Sequence, residues 1–401
     1  MIEGPGPCPK GPRGPKGPPS NGELTPYDRG WNAAWEAQCK GVSEVHAQQA
    51  CPYPVGTEEA FAWFRGFAGN SEEGDSSPKA AKAPKEREQI LLPFEIACGT
   101  VTGRDHISMG RGSQDGFCVL RSLGVANEEV VVAIACDGCG SGEHSEVGAK
   151  IGTKMLVKTI FSEIASIELM RLDPSLAEKY LQEMILSGML PSGNPFGSYH
   201  HVFPKNFQEV LEMSRESVSE KIRTLSKDMG LTTTPEGRRS QTETVRQYLL
   251  FTAIGFVMTT TRTVAFSLGD GVACMNGETF VLDPGEGNEP EYLAYGFVSS
   301  GRPEPKFRIL WEVPTDQVQS VLVGTDGTNL ILKSSDNKMP GKDEKVGGLD
   351  QFWTNDFFFK NPDGLRRRLA LMNRTAKGGD GSVEHGILLD DTTIIVARRR
   401  A

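Results

Sequence analysis

The sequence predicts an α+β fold in which antiparallel sheets are covered by helices. Three observations predict it: short β-branched runs end in Asp-Gly or Asn-Gly turns, those runs cluster as hairpins, and long amphipathic segments lie between them. Residues 130–135 (VVVAIA) are continuously apolar, as a strand buried on both faces should be. Residues 263–268 form a second run and turn at Gly269-Asp270-Gly271. Residues 273–275 and 279–282 flank Asn276-Gly277, a strong hairpin signal. Residues 318–323 lead into Thr325-Asp326-Gly327, and residues 387–389 and 394–397 read as strands flanking Asp390-Asp391-Thr392-Thr393. Two helices complete the pattern. One carries the stripe Val147, Ile151, Met155, Ile160 and Ile164; the other carries Phe207, Val210, Leu211, Val218, Leu225 and Met229, with Gly230 as its C-cap.

Ahead of this region the chain changes character. Residues 1–25 are rich in Gly, Pro and Lys, and three Gly-x-x repeats are too few for a collagen helix, so a disordered tail is expected. Residues 26–70 read as a small two-helix module, with Tyr27, Trp31, Ala34 and Trp35 on one helix and Phe61, Trp63, Phe64 and Phe67 on the other. Residues 71–89 lack any large apolar side chain and read as a flexible linker, leaving 90–401 as the main domain. The module's Tyr27, Arg29-Gly30, Ala33-Ala34, Cys51-Pro52-Tyr53 and Trp63 resemble the ribosome modulation factor family. That resemblance implies a ribosome contact, and the plainer alternative is a module that binds another protein.

Composition narrows the functional class. The 401 residues carry a net charge of -9, which argues against dedicated DNA binding, since phosphate backbones demand a Lys/Arg footprint. No run is long enough to span a bilayer and no signal-type stretch opens the chain, so no membrane partner and a cytoplasmic address are expected. Eight cysteines, several within apolar runs, read as reduced thiols.

The chemistry resides in acidic residues at strand ends: Asp115, Asp137, Asp270, Asp326 and Asp390-Asp391. One Asp-Gly is only a turn signature. Several converging carboxylates with no Lys or Arg in their motifs would repel one another unless a cation neutralised them, and oxygen-only donors select Mg²⁺ or Mn²⁺.

The ordered set Gln114-Asp115, Asp137-Gly138 with Ser145-Glu146-Val147-Gly148-Ala149, Gly269-Asp270, Thr325-Asp326-Gly327 and Asp390-Asp391-x-Thr393 resembles the metal-dependent phosphatases of the protein phosphatase 2C type. Gly103-x-x-His106 and the Asp-Gly-x-Gly-Ser form are most similar to its bacterial-type branch. The resemblance implies a β-sandwich flanked by helices and a serine/threonine phosphoprotein phosphatase acting on a phosphorylated protein. It implies hydrolysis by a hydroxide bridging two Mg²⁺ or Mn²⁺ ions, with a third, looser ion as an option. Asp137 would bridge the ions, the Gly138 carbonyl would bind one, and Asp326 and Asp390 would complete the first ion's shell. Asp115 would hold metal-bound waters, and Asp270 would serve the third ion.

Two positions depart from the family pattern. Where many relatives have a His to protonate the leaving oxygen, this chain has Cys139; the proton would come from metal-bound water or His144. Cys136 and Cys139 form C-x-x-C, read as coincidence because Cys136 ends a buried strand. The phosphate-binding arginine expected five residues before Asp115 falls on Gly110, leaving Arg111 as the candidate and Arg104 as the alternative. A catalytically silent binding module recruited by the N-terminal unit is the competing function, and it would normally lack a metal carboxylate. None is missing here.

Overall fold

The chain divides into two units, Met1–Lys85 and Glu86–Ala401. The computed structural model describes residues 89–172, 205–230, 240–285, 287, 289–298, 304–377 and 382–400, all of the second unit. The tail at 1–25, the module at 26–70 and the linker at 71–89, except its last residue, lie outside the described residues.

The elements run β1 (Phe94–Val101), α1 (Arg104–Ser108), β2 (Gly116–Leu123), β3 (Glu129–Cys136), α2 (Glu146–Leu172), α3 (Phe207–Met229) and α4 (Gln241–Tyr248). Next come β4 (Ala253–Met258), β5 (Arg262–Leu268), β6 (Gly271–Met275), β7 (Glu278–Leu282), β8 (Arg308–Pro314) and β9 (Ser320–Gly324). Four short helices follow, α5 (Thr328–Lys333), α6 (Gln351–Thr354), α7 (Phe357–Lys360) and α8 (Gly364–Met372). The last strands are β10 (Ala376–Lys377), β11 (Val383–Glu384) and β12 (Thr392–Arg399).

Two five-stranded antiparallel sheets, ordered β1-β12-β9-β6-β7 and β2-β3-β4-β5-β8, form a sandwich; β10 and β11 pair separately. Side-chain alternation explains the layering. On β3 every residue is buried, yet Val130, Val132, Ile134 and Cys136 face the helices, whereas Val131, Ala133 and Ala135 face the other sheet. On β12, Ile395 and Ala397 enter the inter-sheet core while Ile394 and Val396 pack against Phe352, Leu365 and Leu369 of the opposite helical layer. Helices therefore cover both outer faces, α2 and α3 on one side and α5 to α8 on the other.

Most of the predicted elements are present. The hairpin at Asn276-Gly277 has positive φ at both residues (52° and 89°), as a two-residue turn matching strand twist requires. α3 buries Val210, Leu211 and Val218, and Asn206 caps its N-terminus by accepting from the Glu209 N–H.

Two local expectations are corrected, at residues 387–389 and on α2. Residues 387–389 form no strand: the Leu388 and Leu389 carbonyls accept the N–H groups of Arg104 and Asp105, and the Ile387 N–H donates to Met372, so their backbone is committed elsewhere. Gly230 is the C-cap of α3, as expected, at φ -75°. The buried face of α2 is turned from the expected stripe, with Ala149, Leu156 and Val157 at its centre beside Ile160 and Ile164, while Val147 and Met155 lie at the margin. No helix among the described residues is long and apolar enough to cross a membrane.

Candidate metal centre

Strand register brings the acidic loops to one rim. Gly116 pairs with Cys136, so Asp115 and Asp137 emerge side by side from β2 and β3. Ala253, at the start of β4, pairs with Leu268, just before the Gly269-Asp270-Gly271 turn. Val272 and Ile394 both pair with Gly324, which puts Asp270, Asp326 and Asp390 beyond adjacent strand ends of the second sheet. Gly269 and Gly271 have φ of 93° and 128°, so the reversal that presents Asp270 depends on glycine at both flanks.

Each aspartate is held differently. Asp115 is buried; its Oδ2 accepts the Thr325 hydroxyl at 2.8 Å, and its Oδ1 is buried with no hydrogen-bond partner. Asp137 is half-buried, and its carbonyl accepts the Thr252 N–H at 2.8 Å. Gly138 bridges to Phe251, and a Cβ there would lie 2.8 Å from the Ser145 carbonyl oxygen, so the loop closes tightly around this backbone. Asp326 is half-buried at the start of α5. Asp390 is the most open, with 51% of its side chain exposed, whereas Asp391 next to it is 1% exposed.

Crowding dominates the electrostatics. Burial, then the charges of Asp115, Asp326, Asp390 and Asp270, push the Asp137 carboxyl well above the usual range. Burial and Asp391 do the same to Asp115, against the lowering effect of hydrogen bonds from Thr393 and Thr325. Asp326 is raised to about 7 by burial and then by Asp390 and Asp270. Asp270 is raised by burial and by Asp390. Asp390 is raised by partial burial, although water screens its half-exposed side chain.

Among the described residues, no Lys or Arg is among the leading causes of the shifts at Asp115, Asp137, Asp270 or Asp326. Oxygen donors, mutual repulsion and the orphaned Asp115 Oδ1 together fit a hard divalent cation. The one trio of donor atoms within 4.8 Å of one another, among the described residues, is His106, Asp390 and Asp391. Asp115, Asp137, Asp270 and Asp326 share the rim without closing into such a trio.

The remaining candidates separate clearly. Arg111 is exposed and its Nη1 donates to the Gly140 carbonyl at 3.2 Å, so it spans to the loop that follows Asp137. Arg104 instead donates to the Gly386 carbonyl at 3.0 Å. His144 is exposed, stacked on Tyr248, with Nδ1 3.3 Å from Glu146 Oε1. Cys139 does not occupy the rim. It is 6% exposed within the helix-side core, with Sγ 3.1 Å from Ser141 Oγ. Cys136 and Cys139 are both free thiols.

The organising roles of Asp391 and Thr325 escape sequence reasoning. Both sit inside recognised motifs, but only the fold reveals that Asp391 points inward and that Thr325 reaches Asp115.

Two antiparallel sheets, outer helices and an acidic rim define the class as metal-dependent hydrolases of phosphoesters. The protein phosphatase 2C profile matches residues 102–371, and the chain belongs to the protein phosphatase 2C family; it is a phosphatase. The match ends before Asp390 and Asp391, whose place at the rim is fixed by β12.

Similar solved structures include the serine/threonine phosphatase Stp1 from Staphylococcus aureus, 10% identical, covering 79% of this chain and 100% of that one at a TM-score of 0.38. The S. agalactiae serine/threonine phosphatase is 15% identical, with coverage of 77% and 100% and a TM-score of 0.35. The catalytic domain of the serine threonine protein phosphatase PstP, in complex with two manganese ions, is 11% identical, with coverage of 76% and 97% and a TM-score of 0.35. No curated protein matches the chain significantly.

Proposed function

We propose that the protein is a metal-dependent serine/threonine phosphoprotein phosphatase of the cytoplasm that uses two Mg²⁺ or Mn²⁺ ions. The observation that carries this is the rim itself, where Asp115, Asp137, Asp270 and Asp326 are forced upward in pKa by burial and by neighbouring carboxylates. Asp137 and the Gly138 carbonyl, with Asp326 and Asp390, would hold the two ions, and Asp270 a looser third. When bound, such ions supply hydroxide at neutral pH and offset charge on the phosphoryl oxygens.

The chain's own residues do the rest. Asp115, fixed by Thr325 on one oxygen, leaves its other oxygen to orient a water at the rim. Arg111, anchored on Gly140 beside the Asp137 loop, offers its guanidinium fork to a phosphoryl group. His144 is the exposed imidazole nearest in sequence to that loop and is one source of the leaving-group proton, water being the other.

A catalytically silent binding module is disfavoured because every carboxylate of the set is present at the rim. The test is hydrolysis of an aryl phosphate and of a phosphothreonine peptide by the full chain, first with Mn²⁺ and then with chelator. Turnover of both that chelator abolishes is expected; no turnover of either would sink the reading.

Residues 26–70 would act as a recruiting module, binding a ribosome or another protein. Deleting residues 1–89 should leave aryl phosphate turnover unchanged, because Ile90 already begins the catalytic unit by bonding to Asn127 and Glu129. A several-fold change in that rate would instead make the N-terminal segment a regulator.

A further inference from the structure

Asp391 is a buried carboxylate that the reaction proposed above does not use. Its Oδ1 accepts the Gly103 N–H at 2.6 Å, and its Oδ2 accepts the Gln114 N–H at 2.5 Å. The His106 Nδ1 lies 2.9 Å from Oδ2, off the line of a hydrogen bond. Asp391 also donates its own N–H to Asp390 Oδ1 at 2.8 Å. Burying a charge without such partners is costly, so these two hydrogen bonds tie both ends of the segment 103–114 to the residue just before β12.

That segment carries Arg111. The Arg111 N–H donates to the His106 carbonyl at 2.9 Å, so the arginine lies between His106, whose ring approaches Asp391, and Gln114, whose N–H donates to it. Asp115 follows Gln114 directly, and the Gln114 Nε2 donates to Ser145 Oγ at 2.8 Å, beside the Asp137 loop. The two neighbours face opposite ways: the Asp390 side chain is 51% exposed and that of Asp391 only 1%.

We propose that Asp391 is a positioning residue that clamps the 103–114 loop and thereby sets Arg111 for phosphate. This deepens the phosphatase reading and rests on it. The carboxylate matters chemically because both of its oxygens receive backbone N–H donors. Asn in its place would turn an NH₂ toward one of those amides.

The test is a double-mutant cycle with inorganic phosphate as probe. In Asp391→Asn, phosphate affinity and KM for an aryl phosphate should worsen about tenfold, as should Arg111→Ala alone, and the double variant should lose little more. Mn²⁺ affinity by calorimetry should fall less than phosphate affinity, because Asp391 gives both of its oxygens to the Gly103 and Gln114 amides. Additive losses, or an Asp391→Asn protein with normal phosphate affinity, would overturn the proposal.

If Asp391→Asn does not fold, hydrogen exchange on the wild-type protein still decides. The Gly103 and Gln114 amides should exchange far more slowly than that of Gly112, which is exposed in the same loop. Equal rates would remove the clamp. This measurement needs no turnover, so a wild type that binds no Mn²⁺ and hydrolyses nothing would defeat the phosphatase reading without touching it.

Discussion

The Thr325 hydroxyl donates to Asp115 Oδ2 across 2.8 Å, joining strand ends from the two sheets. The same hydroxyl accepts the Thr393 N–H at 3.0 Å, so one side chain serves β12 and the rim. Thr325→Val keeps the shape but strands a buried carboxylate oxygen and a buried amide. A loss of about 1–3 kcal/mol in urea unfolding is expected, with weaker Mn²⁺ activation. An unchanged unfolding midpoint would mean that water replaces the hydroxyl at no cost.

Asp137 feels four neighbouring carboxylates. Asp137→Asn removes one of those charges, so hydrolysis should fall to the background rate while the metal-free protein melts at the same temperature or higher. Near-normal turnover with Mn²⁺ would show that Asp137 is not the bridging ligand.

The same crowding predicts an unusual pH dependence. Asp326 titrates at about 7 in the fold, and Asp115, Asp137 and Asp270 are also raised. The folded protein therefore holds protons that the unfolded chain releases near about pH 4. Metal-free protein should be most stable toward the acid side of that window and lose stability as pH rises through about 7, opposite to a salt-bridged carboxylate. Melting temperatures between pH 5.5 and 8 with chelator should fall by several degrees, and Mn²⁺ should flatten the curve; a rise with pH under chelator would contradict the electrostatic reading.

How much of this was legible depended on what each residue faces. β3 could be read because all eight of its residues are buried, and burial on both faces leaves a continuous, β-branched apolar run in the sequence. β8, an edge strand with Glu312 and Arg308 exposed, has no such signature. β1 mixes Cys98, Gly99 and Thr100, since Gly99 must admit the backbone of α8: a Cβ there would lie 2.6 Å from the Arg366 nitrogen. Residues 387–389 are apolar enough for a strand, but their carbonyls are spent on α1.

At the rim, turn chemistry exposes the carboxylates, because Asp precedes or follows Gly where strands end. Which of Asp390 and Asp391 points inward shows only in the fold, where Asp391 meets the Gly103 and Gln114 amides from a distant segment. The neighbours of Arg111 likewise come from distant turns, and no local pattern encodes them.

Cys139 gives the last prediction, because a family His would be expected to act there. Its thiol is enclosed by the helix-side core, with Tyr292 nearby, itself buried and raised in pKa by burial and by a hydrogen bond with Cys139. An imidazole is larger than a thiol, and Cys139 is enclosed, with 6% exposure. Cys139→His should therefore overpack the site and cost about 1–3 kcal/mol rather than supply an acid. Enclosure also shields the sulfur, so peroxide should inactivate wild type and Cys139→Ala at the same rate. A Cys139→His protein with wild-type melting temperature and faster turnover would show instead that the position opens to the rim and that the leaving group is protonated from there.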